Sequence, residues 1–182
     1  KPGDRVGVLE DNSLEAQDCF LGCAIAGLVR VPLYARNAAA SHVHMLSHTD
    51  CRLVIVEAHY ADEIEQIFDQ LPALETVLIR DETYEQHLMA CSDKDPEVIL
   101  DPEDWFVIRH TGGTTGNPKG VAYSHRSWLA AGRDWFYHFP PMEAGDVCLH
   151  VGPISHGSGY LYTPTWLAGG TNVLVDHFEA EA

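Results

Sequence analysis

Short apolar runs and stretches of helical periodicity alternate along the chain. Runs of apolar and β-branched residues that are too short for a helix predict buried strands. They occur at residues 5–9, 53–56, 76–79, 105–108, 147–151 and 172–175. Segments with apolar residues at helical spacing lie between several of these runs. This alternation predicts an α/β fold with largely parallel sheets flanked by helices.

A first helix is predicted after Asn12, because Asn12 and Glu15 have the spacing of a capping box. Its apolar face would contain Leu14, Leu21, Ile25 and Leu28. Further helices are predicted at residues 64–71, 84–90, 127–139 and 158–167. In the helix at 127–139, core packing is expected of Trp128, Trp135, Phe136 and Phe139.

An acid-rich connection between Asp81 and Asp104 is the best candidate for a domain boundary, since it contains two Asp-Pro pairs. We therefore predict a first α/β subdomain at residues 1–100. Residues 101–182 would form part of a second α/β subdomain that is incomplete at its C-terminus. The chain begins at Lys1 without a methionine and ends just after a predicted strand, so we expect it to be a piece of a longer protein.

Composition and charge narrow the possible functions. The chain has 182 residues, 46% of them hydrophobic, which is enough for a core and excludes global disorder. Its 11 Lys and Arg against 27 Asp and Glu give a net charge of −16, the opposite of the basic surface that nucleic-acid binding requires. The longest apolar run, at residues 19–29, is too short for a transmembrane segment.

The cysteines indicate a reducing compartment. There are five, an odd number, and no two of them form a CxxC pair, which argues against a disulfide framework. We interpret them as buried thiols and expect a cytoplasmic location.

The segment from His110 to Gly120 has the composition of a phosphate-binding loop and follows a predicted strand directly. Its glycines let the backbone approach a ligand closely, its threonines supply hydroxyl donors, and Lys119 supplies a cation. It is not a Walker A loop, since Pro118 and Gly120 stand where that motif needs glycine and Ser or Thr. The G-x-G-x-x-G dinucleotide motif is not matched either.

This segment resembles T-[SG]-G-T-T-G-x-P-K-G, the phosphate-binding signature of the adenylate-forming superfamily. That superfamily includes acyl- and aryl-CoA synthetases, luciferase and the adenylation domains of peptide synthetases. Gly112 stands where serine is usual, and His110 where an aromatic residue often lies. The positions that match the signature are Thr111, Gly113, Thr114, Thr115, Gly116, Pro118, Lys119 and Gly120.

A second segment, residues 152–160, resembles the P-x-x-H-x-x-G stretch that lines the acyl pocket in this superfamily. The resemblance implies a substrate-pocket role for His156, Gly157 and Ser158. The alternative for His156 is a loop histidine that hydrogen-bonds to backbone. Residues 1–6 and 32–34 are similar to the family's first subdomain, so the resemblance covers essentially the whole chain and implies the front part of the large N-terminal domain.

The resemblance implies a two-step ligation with ATP, Mg²⁺ and coenzyme A. A carboxylic acid, more plausibly fatty or aryl than an amino acid, attacks the α-phosphate of ATP to give an acyl-adenylate and pyrophosphate, and a thiol then displaces AMP. Lys119 would be the catalytic cation that stabilises the departing pyrophosphate. The ATP phosphates would be bound by Thr111, Gly112, Gly113, Thr114, Thr115, Gly116 and Lys119.

Other features of the superfamily are not found in this sequence. It contains no N-x-Y-G-x-T-E segment, no Y-x-T-G-D ribose motif and no C-terminal catalytic lysine domain. We therefore expect the chain alone to be inactive. Two alternatives stay open: a noncatalytic nucleotide- or acyl-binding module, and an adenylation domain or luciferase-like member of the same superfamily.

We expect no metal ligands in this chain. His42, His44 and His48 are close in sequence, but a helix would place His44 and His48 on one face and His42 off it. A serine hydrolase is also disfavoured, because Ser124-His125 and Ser155-His156 are sequential neighbours and no G-x-S-x-G elbow accompanies them.

Overall fold

The structure is a computed structural model, and it describes residues 1–112 and 118–175. Eight strands alternate with six helices in these residues. The strands are β1 (Arg5–Leu9), β2 (Val29–Leu33), β3 (Leu53–Glu57), β4 (Thr76–Arg80), β5 (Trp105–His110), β6 (Gly120–Ser124), β7 (Val147–His150) and β8 (Thr171–Leu174). The helices are α1 (Glu15–Ile25), α2 (Ala39–His48), α3 (Ala61–Ile67), α4 (Tyr84–Ala90), α5 (His125–His138) and α6 (Tyr162–Leu167).

Six of the strands form one sheet in the order β4-β3-β1-β2-β5-β6. All of its pairs are parallel except β5 with β6, which are antiparallel neighbours in sequence. Strands β7 and β8 form a separate parallel pair. The largely parallel α/β architecture expected from the sequence is therefore confirmed.

Helices cover both faces of the large sheet. On one face, α2 and α3 pack against β1, β2 and β3 through the largest core cluster, which includes Leu9, Val31, Leu46, Val54 and Ile64. On the other face, α1 packs on Val6 and Val8. Because successive residues of a strand point to opposite faces, β1 contributes Val6 and Val8 to one layer and Leu9 to the other.

The apolar face predicted for α1 was wrong. Leu14, Leu21 and Ile25 are exposed, and the helix instead turns Ala16, Cys19 and Cys23 inward. Small side chains let the helix axis approach the valines of β1 closely, which the larger leucines would prevent. The predicted Asn12 cap was also wrong, because Asn12 hydrogen-bonds to a distant segment and Ser13 Oγ accepts from the Ala16 backbone amide instead.

Two other packing predictions held only in part. Of the aromatic residues predicted to pack in the core here, Trp128 of α5 is buried, whereas Phe139, the residue after α5, is 48% exposed. Of the cysteines, three are buried and Cys148 is half-buried, but Cys91 is exposed. Burial raises the pKa of Cys19 to about 12, so this thiol is inert at neutral pH.

The sheet is continuous across the predicted subdomain boundary. β5 and β6 belong to residues 101–182, yet they extend the sheet built by β1 to β4. The division into residues 1–100 and 101–182 stays a prediction. No helix within the described residues combines the length and the apolar character needed to cross a membrane.

Gly7 has no room for a side chain. A Cβ at this position on β1 would lie 2.5 Å from Cδ2 of Leu46 and 3.1 Å from Cγ2 of Val54. We expect Gly7→Ala to lower the free energy of unfolding by about 1–3 kcal/mol through overpacking. Gly22, which has open space around its Cα, provides the control: Gly22→Ala, in the middle of α1, should be neutral or stabilising. Equal stability of the two variants in urea would contradict this packing.

Candidate functional site

The β5–β6 hairpin carries the predicted phosphate-binding loop. At the base of the loop the Thr111 backbone amide donates to the Lys119 carbonyl at 2.9 Å, and the Lys119 amide lies 3.4 Å from Thr111 Oγ1. These bonds close the loop between its first and last residues and leave both Thr111 and Lys119 exposed. The predicted phosphate-binding residues Gly113, Thr114, Thr115 and Gly116 lie outside the described residues.

Gly120, at the start of β6, has no room for a side chain. A Cβ there would lie 2.9 Å from Cγ2 of Ile108 and 3.5 Å from Nε2 of His110. The missing side chain therefore lets the two strands of the hairpin pair closely just below the loop.

A cavity of about 220 Å³ lies beside the loop base. It brings together two of the sequence-predicted groups, the loop residues Thr111 and Gly112 and the pocket residue His156. The other residues that line it are Pro32, Tyr34, Asn37, Met45, Arg109, His110, Pro118 and Ser155. The segments predicted to bind phosphate and the acid, which are far apart in sequence, thus line the same cavity.

Of the three predicted pocket residues, His156 lines this cavity and the other two do not. His156 is exposed and its ring lies 5.5 Å from that of Tyr34. Gly157 and Ser158 begin a 3₁₀ turn and do not line the cavity in the part of the chain that is described. The Ser158 hydroxyl instead hydrogen-bonds at 2.9 Å to Nδ1 of His150, a fully buried side chain. The roles assigned to these three residues from the sequence stay predictions.

Two residues to which the sequence analysis gave no role at this site hold the 152–156 segment against the large sheet. The Asn12 side chain accepts from the Ile154 amide and donates to the Gly152 carbonyl, both at 2.9 Å. Arg109, at the end of β5, donates through Nη2 to the Ser155 carbonyl at 2.9 Å and to the His156 carbonyl. The position of Arg109 two residues before the loop was the only sequence signal that could have found it.

Three histidines pack at the root of the loop. His44 and His48 of α2 stack with ring centroids 5.5 Å apart, and the His48 ring lies 6.1 Å from that of His110. The His44 Nε2 donates to the Pro118 carbonyl at 2.9 Å, so α2 is fastened to the loop next to Lys119. His42 is separate, as expected from helical geometry: it is fully buried and hydrogen-bonds to Glu63 and to the Tyr34 carbonyl.

His110 makes stability depend on pH. Burial, together with the neighbouring His48 and His44, lowers its pKa to about 4, and neither ring nitrogen has a hydrogen-bond partner among the described residues. The unfolded chain binds this proton near pH 6.5 and the folded chain does not, so stability falls as pH drops from about 6.5 to about 4. We expect a loss of about 1–2 kcal/mol at pH 5, allowing for partial exposure.

Replacing this histidine tests the assignment. His110→Phe should flatten the change in unfolding free energy between pH 7.5 and pH 5, since the aromatic ring keeps the packing and cannot be protonated. His87→Phe, at an exposed position on α4, should leave the pH dependence as in the wild type. An unchanged slope in His110→Phe would mean that another group is responsible.

One cluster outside the cavity has the donor set of a cation site. Ligand atoms of Asp11, Glu57 and His59 lie within 4.8 Å of one another at the carboxyl ends of β1 and β3. Arg80 donates to Glu57 and the Tyr60 hydroxyl donates to Asp11, so both carboxylates already have protein hydrogen-bond partners. The described lining of the cavity contains no carboxylate.

Comparison with known proteins identifies the family and the proteins that this chain resembles. The family model described as AMP-binding enzyme matches residues 1–182. The chain is 32% identical over 190 residues to a fatty acid–[acyl-carrier-protein] ligase of Streptomyces coeruleorubidus, with 98% of this chain and 35% of that protein covered. It is 36% identical over 135 residues to a long-chain-fatty-acid–CoA ligase of Mycobacterium tuberculosis, with 73% and 27% covered.

A solved structure resembles the fold closely. The inhibitor-bound N-terminal domain of FACL13 from Mycobacterium tuberculosis has a TM-score of 0.91 and 29% sequence identity, and the match covers 98% of this chain and 46% of that one. The predicted fold class, part of the N-terminal domain of an adenylate-forming enzyme, is thereby confirmed. The chain spans about a third of the length of the curated relatives it matches.

Proposed function

The chain belongs to the AMP-binding enzyme family, and from this premise we propose that it is the phosphate- and acid-binding part of an AMP-forming acid–thiol ligase. The full-length protein would activate a carboxylic acid with ATP and transfer the acyl group to coenzyme A. The cavity between the loop base and His156 is the observation that carries the proposal. This cavity supports the proposal because it offers one space in which a phosphate and a carboxylate could bind side by side.

The chemistry of the first step suits the groups around this cavity. A carboxylate oxygen attacks the α-phosphorus of ATP, the bond to the bridging oxygen breaks, and pyrophosphate leaves with the electron pair. Backbone amides, the Thr111 hydroxyl and the Lys119 ammonium would stabilise the negative charge that grows on the pyrophosphate. ATP would arrive with Mg²⁺, whose ligands would come from the nucleotide and from residues beyond the described cavity lining.

The substrate class is proposed from the cavity lining and the relatives. Met45, Pro32 and Tyr34 give the cavity an apolar side, and no carboxylate among its described residues could bind the ammonium group of an amino acid. Both relatives named above are ligases of fatty acids. A fatty or aryl acid is therefore the proposed substrate, and cytoplasm remains the expected location.

The test is carboxylate-dependent pyrophosphate release by the full-length protein. A panel of fatty, aryl and amino acids should be assayed with coenzyme A, with an acyl carrier protein, and without either thiol. Release with a fatty or aryl acid, together with acyl-CoA formation, is the expected result. Acyl transfer to the carrier protein alone would mean that the acyl acceptor is a carrier protein and not coenzyme A. If no acid in the panel causes pyrophosphate release and the protein still binds nucleotide, the protein is a noncatalytic binding module.

A further inference from the structure

Arg109 is a buried cation held in a fixed position. It is 8% exposed and lies at the end of β5, two residues before Thr111. Its guanidinium carbon is 4.3 Å from the centre of the Tyr160 ring and 5.8 Å from that of Trp128, and Nη2 is bound to the carbonyls of the 152–156 segment. Aromatic faces and carbonyls orient this side chain, but they do not neutralise its charge.

The other buried arginines of the chain have carboxylate partners. Arg30 pairs with Glu10 at 2.7 Å, and Arg80 pairs with Glu57 at 2.6 Å. Within residues 1–112 and 118–175, by contrast, no carboxylate lies within 4.0 Å of Arg109, and its Nη1 is buried without a hydrogen-bond partner. Burying an unpaired charge is costly, so such a group is expected where a ligand supplies the opposite charge.

Arg109 also lines the cavity where that ligand would bind. The cavity has Thr111 and Gly112 on its phosphate side and Ser155 and His156 on its acid side, and Arg109 contacts the acid side directly. A guanidinium presents a planar fork of donors whose spacing matches a carboxylate. The choice of a carboxylate over a phosphate oxygen follows from the bonds of Arg109 to Ser155 and His156 rather than to the loop.

We propose that Arg109 is a substrate-binding residue whose guanidinium, which lines the cavity, binds the carboxylate of the acid before it attacks ATP. This inference rests on the proposed function and adds a specific residue to it. The guanidinium would reduce repulsion between the carboxylate and the anionic phosphates and would hold the attacking oxygen beside the loop. It is distinct from Lys119, which acts on the leaving pyrophosphate.

The test uses Arg109→Gln and Arg109→Lys in the full-length protein, with octanoate and benzoate as acids. Loss of a charge-assisted hydrogen bond of this kind should raise the KM for the acid by about 10-fold to 100-fold in Arg109→Gln, with the KM for ATP nearly unchanged. Arg109→Lys, which keeps the charge but not the fork, should lie between the wild type and Arg109→Gln. Arg126→Gln, an exposed arginine paired with Glu103, is the matched control and should behave as the wild type.

Each other outcome has a defined meaning. A selective rise in the KM for ATP would overturn the carboxylate assignment in favour of a phosphate. Equal changes in both KM values with a lowered melting temperature, in Arg109→Lys as well, would reduce Arg109 to a structural role. Calorimetric titration of the acids without ATP separates the two proposals: if the wild type makes no pyrophosphate yet binds an acid that Arg109→Gln does not bind, the proposed function fails and the binding role stands.

Discussion

Replacing Lys119 with alanine is expected to lower the rate of carboxylate-dependent adenylation by about 100-fold to 1,000-fold in the full-length protein, as removal of one preorganised electrostatic group from a reaction centre commonly does. The ammonium group would stabilise the pyrophosphate as it leaves, and that charge develops only in the first step. The rate of thiol transfer from preformed acyl-adenylate should therefore change much less. Single-turnover measurement of the two half-reactions gives both rates.

Lys94 provides the matched control for this substitution. It is an exposed lysine in the acid-rich connection between α4 and β5, far from the loop in sequence. Lys94→Ala removes the same charge and should leave both half-reactions at the wild-type rate. If Lys119→Ala slows both half-reactions equally, Lys119 does not act on the pyrophosphate and its assignment is wrong.

Replacing Arg30 with methionine is expected to lower the free energy of unfolding by about 3–5 kcal/mol, because it leaves a buried carboxylate with less of its counter-charge. Arg30 on β2 donates to Glu10 at 2.7 Å, and both side chains are almost fully buried. Burial raises the pKa of the Glu10 carboxyl, whereas Arg30 and Arg80 oppose that rise. Removing Arg30 takes away one of the two guanidiniums that oppose this rise in the pKa of Glu10.

Arg52→Met is the control for this effect. Arg52 is also paired with a carboxylate, that of Glu75, to which it donates two hydrogen bonds. This pair lies at the surface, where water screens the interaction. Chemical denaturation of both variants should therefore show a large loss for Arg30→Met and little change for Arg52→Met. Similar losses would mean that the Glu10 cluster does not stabilise the fold more than a surface ion pair does.

Six of the eight strands in the described residues were predicted from the apolar pattern, because buried strands leave a simple signal, whereas the pattern did not predict β2 and β6. The continuous β-branched run of β3 and the runs of β1 and β4 were found to within one residue. The i, i+3, i+4, i+7 pattern likewise located α3 and the turn that follows it. Helix α2 was not predicted, although its Met45 and Leu46 are buried, since histidines and alanines dilute its apolar face.

Periodicity alone misjudged which side of a helix faces the sheet. Leu21 and Ile25 of α1 are exposed, because the inner surface is determined by how closely the helix can approach Val6 and Val8. Hydropathy describes the polarity of a side chain and not the space available to it in the folded chain. The same limitation applies to Gly7, whose importance depends on Leu46, a residue 39 positions away in sequence that no local pattern connects to it.

The candidate site was predictable where it is local and not where it is assembled by folding. Thr111 and Lys119 were identified from one continuous motif. The contributions of Asn12 and Arg109 depend on hydrogen bonds to residues about 140 and 46 positions away, and such pairings leave no mark in a single sequence. The fastening of His44 to Pro118 is of the same kind. These contacts bring the predicted phosphate-binding loop and the 152–156 segment to the two sides of one cavity.

The most direct test of the central claim is whether an oxygen atom of the acid is transferred to the nucleotide. The full-length protein should be incubated with ATP, coenzyme A and its preferred acid carrying ¹⁸O in the carboxylate, and the nucleotide product analysed by mass spectrometry. Attack of the carboxylate on the α-phosphorus transfers one of its oxygens to the nucleotide, so AMP should carry a single ¹⁸O. Unlabelled AMP, or ¹⁸O in inorganic phosphate with ADP as the nucleotide product, would show that no acyl-adenylate forms and would contradict the proposed function.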